Sequence, residues 1–322
     1  MAYIGRQIEV WFGVESVRGT AVSAGIWSAK TDFSFKESAE TITDESSVGN
    51  IVDARDVHVI KQSGMWDIAS NVEINSFGFL LFALLGAKAV AGASAWAFEH
   101  TFTLNNTAAI QSLSICIKDP VEWSRVYPLA CIDSLTLNIE EGGFVSYTAT
   151  FMSKKWSTVT HTVSYGVDNH LLARHSIFKV AANLAWLDAA TAICFKSFEL
   201  TISKNLEADY CAGSIEPRDY INKQVSIEGS FTAVYENTTF KDFNLNGTHR
   251  AIRFEAVDTN TTIGATDNPT LSIDLPLVAF TERDKTQGND EVVTQTLTMK
   301  WLYSNVDASA IIATLVNTRA SY

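Results

Sequence analysis

The chain is poor in the residues that most often carry chemistry. Its 322 residues include four cysteines and six histidines, and neither set falls at a spacing that builds a site. Cys116, Cys131, Cys194 and Cys211 form no CxxC or other short metal-binding pattern, and each stands among apolar or strand-like neighbours. They read as small buried hydrophobes in a reducing compartment, with no disulfide. His58, His100, His161, His170, His175 and His249 lie far apart without an HExxH arrangement, so the usual zinc signatures are missing. GxSxG, GxGxxG and a Gly-rich loop ending in Lys-Ser or Lys-Thr are also absent, which leaves hydrolase-elbow and nucleotide chemistry unsupported. The expectation is a protein that is not an enzyme and has no cofactor and no small-molecule ligand.

Basic charge is scarce as well. Twenty-four Lys and Arg face 36 Asp and Glu, a formal net charge of −12, whereas tight binding to nucleic acid needs clustered cations to neutralise phosphates. Long apolar runs are missing too: the longest, Phe77 to Ala87, is too short to span a bilayer. Met1 to Arg6 lacks the apolar region of a signal peptide, so synthesis in a cytoplasm is expected. Two acidic features read as structure rather than chemistry. Glu140-Glu141 sit at a hairpin tip where solvent screens both. Asp258 to Gly264 resembles the start of a calcium loop, but its glycine falls one place late and Pro269 stands where the final Glu ligand belongs, so a surface loop is expected.

What the chain has is β-pattern, written nearly twice. The hydrophobic fraction is 47%, enough for a core in each half. The first pass runs from Phe33 and Phe35 through Gly49-Asn50-Ile51, Arg55-Asp56 and Gly64 to Phe77–Gly86. The second runs from Phe198 and Leu200 through Gly213-Ser214-Ile215, Arg218-Asp219 and Gly229 to Phe240–Gly247. This loose repetition predicts a tandem duplication of one β-rich unit. Phe77–Gly86 reads as a short buried helix closed by glycine. Ser134–Ile139 and Phe144–Phe151 read as a hairpin about a glycine-bearing turn. The expected organisation is an extended N-terminal arm over 1–30, a first β domain over 31–160, a connector over 161–190 and a second β domain over 191–322. Thr281 to Glu291 is read as a charged loop that orders against a neighbour.

The string Gly13-Val14-Glu15-Ser16-Val17-Arg18-Gly19-Thr20-Ala21-Val22, followed by Trp27 and Gly49-Asn50-Ile51, resembles the tail tube (major tail) proteins of long-tailed, non-contractile bacteriophages, which carry a GxESxxGTA string ahead of a β-rich tube domain. The resemblance continues through Phe77-Gly78-Phe79-Leu80-Leu81, the Ser134–Phe151 hairpin, Asn246-Gly247-Thr248, Asn268 to Pro276 and Asn289-Asp290-Glu291-Val292. It implies a mainly β fold: tandem tube-like β-barrel or sandwich domains, each with a short packed helix, plus the N-terminal arm and long inter-subunit loops. It also implies a virion subunit that assembles with itself into stacked rings around a channel for double-stranded DNA, bound without sequence preference. Two fused tube domains imply three chains per ring rather than six. A tape-measure protein, a tail terminator and tail-tip proteins are the implied partners. Contacts between copies are expected at Glu15, Arg18, Gly19, Thr20, Arg283, Asp284, Lys285, Asn289, Asp290 and Glu291. The competing reading is a carbohydrate-binding β-sandwich module of a phage tail or surface protein, with Trp11, Trp66, Trp96, Trp123, Trp156 and Trp186 as stacking platforms.

Overall fold

A computed structural model describes residues 3–122, 124–159 and 161–322. The first half contains β1 (Glu9–Val14), β2 (Ile26–Ser28), β3 (Asp32–Asp44), β4 (Asp56–Asn71), helix α1 (Phe77–Leu85), β5 (Gly86–Ser94), β6 (Ala97–Leu104), β7 (Leu113–Lys118), β8 (Arg125–Glu140), β9 (Ser146–Ser153) and β10 (Ser157–Thr158). The second contains β11 (Ser176–Ala181), β12 (Ala192–Ile193), β13 (Phe195–Ser203), β14 (Glu207–Asp209), β15 (Asp219–Ile221), β16 (Ser226–Val234), helix α2 (Thr239–Leu245), β17 (Arg250–Val257), β18 (Thr270–Thr286), β19 (Thr294–Trp301) and β20 (Ile312–Asn317).

Both halves pair their strands in the same order. The first runs β2-β1-β7-β8-β9-β4-β3. The second runs β12-β11-β17-β18-β19-β16-β13. Every one of these pairings is antiparallel, and the helix follows β4 in one half and β16 in the other. Two ladders join the halves: β8 pairs with β13, and β20 pairs with both β18 and β6. The β5–β6 hairpin of the first half is therefore hydrogen-bonded to the second half's last strand. Among the described residues, no succession of pairings returns to its starting strand. The fold is mainly β, as expected, but it is not a closed barrel within one chain.

One hydrophobic cluster runs through both halves, from Val10 and Phe12 through Trp66, Leu137 and Phe198 to Leu297 and Leu315. All nine residues of α1 are buried, as befits a helix that is apolar all round. Gly86 ends it at φ 85°, a left-handed conformation that glycine adopts without penalty. Its N-terminus is capped from a distance: the Asp168 carboxylate accepts the Asn75 and Ser76 amides at 2.8 and 3.0 Å. Helix α2 is shorter and buries Phe240 alone.

Three expectations need correction. The glycine-punctuated start is not simply an arm, because β1 inserts between β2 and β7 and buries Val10, Trp11 and Phe12. The 161–190 stretch is more than a connector, since β11 pairs along its whole length with β17 and buries Phe178. The charged 281–291 stretch is strand as far as Thr286, where β18 pairs with β19, and loop only beyond it. Of the cysteines, Cys116 and Cys131 are buried, whereas Cys194 and Cys211 are exposed. Burial pushes the Cys116 thiol up to about 12 and the Cys131 thiol up to about 11, which keeps both unreactive.

Candidate functional site

Eight strands form a continuous run, β3-β4-β9-β8-β13-β16-β19-β18, made of two four-stranded halves joined at β8–β13. Side chains alternate between its two faces. One face enters the core with Phe35, Trp66, Phe151, Leu137, Leu200, Phe231 and Leu297. The other is polar. Thr136 and Thr201 share a hydrogen bond of 2.9 Å across the joint, and Thr232 and Thr296 share another of 2.9 Å. Thr150 donates to Asp67 at 2.8 Å, Lys300 to Glu228 at 3.0 Å and Lys61 to Glu40 at 2.7 Å. On this face Glu40, Asp67, Glu140, Glu199, Glu228, Glu282 and Asp284 outnumber Lys36, Lys61 and Lys300. It presents an acidic, hydroxyl-rich surface.

The run has two open ends. Strand β3 pairs only with β4, and Phe280–Thr286 of β18 pairs only with β19 among the described residues. Three of the expected contact residues sit at that second end. Arg283 donates to Gln295 Oε1 at 3.0 Å and lies over the Tyr235 ring with Lys285, while Asp284 is exposed. The Arg283 Nη2 group is buried without a hydrogen-bond partner among the described residues. Asn289, Asp290 and Glu291 are exposed in the loop that follows.

The N-terminal group of expected contacts is placed differently. Glu15 is only 3% exposed and is satisfied inside the chain by Ser112 Oγ at 2.5 Å, Gly19 N at 2.7 Å, Leu129 N at 2.8 Å and Ser114 Oγ at 2.9 Å. Arg18 reaches the second half, donating to Asp219 at 2.7 Å and to the Tyr220 carbonyl at 2.9 Å, with a further bond to the Ile110 carbonyl. Gly19 sits at φ 77° in the turn that Glu15 closes. Through Arg18 this string ties the two halves of one chain together, and of Glu15, Arg18, Gly19 and Thr20 only Thr20 is left exposed.

Sequence reasoning passed over Lys204. It is 1% exposed and donates to the Ala83 carbonyl in the last turn of α1 at 2.7 Å. Burial pulls its pKa down to about 7. A lysine between Ser203 and Asn205 carries no pattern that sets it apart from a surface turn.

The remaining candidates disperse. Trp11 and Trp66 lie in the core, while Trp96 and Trp186 are exposed in separate turns; Trp123 falls outside the described residues. Glu140 and Glu141 are exposed at the β8–β9 tip. Asp258 is buried and accepts hydrogen bonds from Thr261 and Asn260, so it organises the β17–β18 loop, whose Thr259, Asn260, Thr262 and Gly264 lie exposed at the surface.

No curated protein sequence matches the chain. A family model described as "Phage tail tube protein" matches residues 5–301, a span that takes in the repeated strand order, the joint, both open ends and the acidic face. By that match, and with the mainly β architecture that goes with it, the chain belongs to the phage tail tube protein family.

Proposed function

We propose that this chain is the repeating subunit of the tube of a long-tailed, non-contractile phage tail. Copies join edge to edge into rings, the rings stack, and the channel they enclose passes double-stranded DNA from capsid to host. The observation that carries this reading is the internal joint. Two β units of the same strand order already meet edge to edge through β8 and β13, while among the described residues the corresponding edges at the two ends of the run, Phe280–Thr286 of β18 and β3, stay unpaired on their outer side. An open strand edge is a ready pairing surface. A head-to-tail contact that repeats the same rotation closes into a ring. With two units per chain, three chains supply six equivalent positions.

In this arrangement the acidic hydroxyl-rich face lines the channel. Fixed carboxylates repel phosphate and give the DNA no cation cluster on which to stick. Contacts between rings come from the segments that stand clear of the run. Foremost is the β3–β4 hairpin, whose tip exposes Val48, Ile51 and Val52. The subunit is structural and has no catalytic role. Its partners are its own copies, the DNA in transit, and the tape-measure, terminator and tip proteins of the tail. A sugar-binding module is the weaker reading, since two of its platforms, Trp11 and Trp66, are core residues.

Electron microscopy of the purified protein and of the virion tail tests the proposal. Hollow tubes with threefold rings are expected. Rings of six chains would keep the tube and remove the two-unit closure, and a tail wall that lacks this chain would refute the function.

A further inference from the structure

We infer that the contact between neighbouring copies is an antiparallel pairing of β18 with β3 in one defined register, Ser38 of one copy opposite Thr286 of the next. This rests on the tube reading above and adds the residues that make the contact. The register comes from the chain's own internal joint. Glu37 pairs with Gly64 in the first unit as Leu200 pairs with Gly229 in the second, and Phe35–Trp66 stands where Phe198–Phe231 stands. The next ladder agrees: Trp66 faces Phe151 and Ala69 faces Thr148, as Phe231 faces Leu297 and Val234 faces Thr294. Thr136 lies opposite Thr148, and Thr286 lies opposite Thr294. Thr286 is thus the counterpart of Thr136, and Ser38 the counterpart of Thr201. Thr136 and Thr201 face each other across the internal joint.

The chemistry at these positions fits. The Thr136–Thr201 hydroxyl pair, 2.9 Å apart, is reproduced as a Ser38–Thr286 pair. Lys285 falls opposite Ala39 and diagonal to Glu37, within reach of a long side chain. Asp284 falls opposite Glu40, a like-charge pair that costs some stability, while Lys61 on the far side of Glu40 holds that carboxylate at 2.7 Å. Arg283 sits on the same strand face as Lys285 and is held by Gln295 of β19. The two joints differ in one respect. The core side of the internal joint is apolar, with Leu135, Leu137 and Ile139 against Ile202, Leu200 and Phe198. The corresponding positions between copies are largely polar, as suits an edge that must stay soluble before it finds its partner.

The test is disulfide trapping in assembled tubes or virion tails, in a Cys194→Ser, Cys211→Ser background. Ser38→Cys combined with Thr286→Cys should give, on oxidation, a reducible ladder that closes at a circular three-chain species. Each single variant should give none. Paired strand positions lie within disulfide reach, whereas Ser34→Cys with Thr286→Cys is about 13 Å out of register, at roughly 3.3 Å per residue, and should not link. Ala39→Cys with Lys285→Cys provides a second in-register pair if the first disturbs folding. Intact tubes in which neither in-register pair links, or in which the Ser34 pair links instead, would overturn this register and leave the tube standing. A chain that forms no tubes and is missing from the tail wall would overturn both.

Discussion

Lys204 shows how much a single buried side chain contributes without any mark in the sequence. Its folded pKa of about 7 lies far below the ordinary lysine value of 10.5. Between those two values the unfolded chain holds a proton that the folded chain has shed, so stability rises with pH across that window. Below about 7 both states are protonated and the full cost of burying the charge applies, about 1.4 kcal/mol for each pH unit of displacement. Lys204→Met should therefore flatten the rise in Tm between pH 7 and 10 relative to the parent, which calorimetry at several pH values would show. Gly78 makes the converse point. The string Phe77-Gly78-Phe79 is legible as helix, but the need for glycine comes from the Tyr322 ring, which occupies the space a β-carbon would fill. Tyr322 is held there by its hydroxyl, which donates to the Asn75 carbonyl at 3.1 Å. Gly78→Ala should displace that ring and cost about 1–3 kcal/mol, measurable as a fall in the urea midpoint.

Among the elements, those packed against the core were readable. Helix α1 with its Gly86 terminus and the β8–β9 hairpin follow directly from apolar spacing and turn residues. The outer end of β18 was not, because Thr281 to Thr286 is polar on both faces. A strand at an open edge has no core to impose alternation. Strand β1 was hidden for a different reason. Gly13 and Gly25 read as breakers, yet a β-carbon at Gly13 would overlap the Trp11 ring and one at Gly25 the Phe12 carbonyl. They are spacers that let β1 and its neighbours approach closely. The β8–β13 joint leads to a prediction at this scale. Leu200 is 1% exposed in a cluster shared by both halves, so Leu200→Ala should cost about 2–5 kcal/mol and lower one common transition. Two separated calorimetric peaks would show instead that the halves melt independently.

For the whole molecule, the family was legible from landmarks that stand in order along the chain, whereas the strand-pairing order that the two halves share lies in contacts between strands far apart in sequence. Which carboxylates share a face was not legible either, since that depends on the register of eight strands drawn from both halves. Glu199→Lys with Glu228→Lys should leave tubes intact but slow DNA release, most of all at low salt, where phosphate contacts are strongest. Triggered ejection followed at several salt concentrations would detect it, and unchanged rates would place this face away from the DNA. The exchange at β20 sets the order in which such a subunit can be finished. Hairpin β5–β6 emerges from the ribosome by Leu104, but the strand that completes its sheet begins at Ile312. Synthesis proceeds at about 5–20 residues per second, so the hairpin waits many seconds with an unsatisfied edge. The first half therefore matures only after the second has been made, and a ribosome that stalls between the two releases a chain that cannot complete its fold.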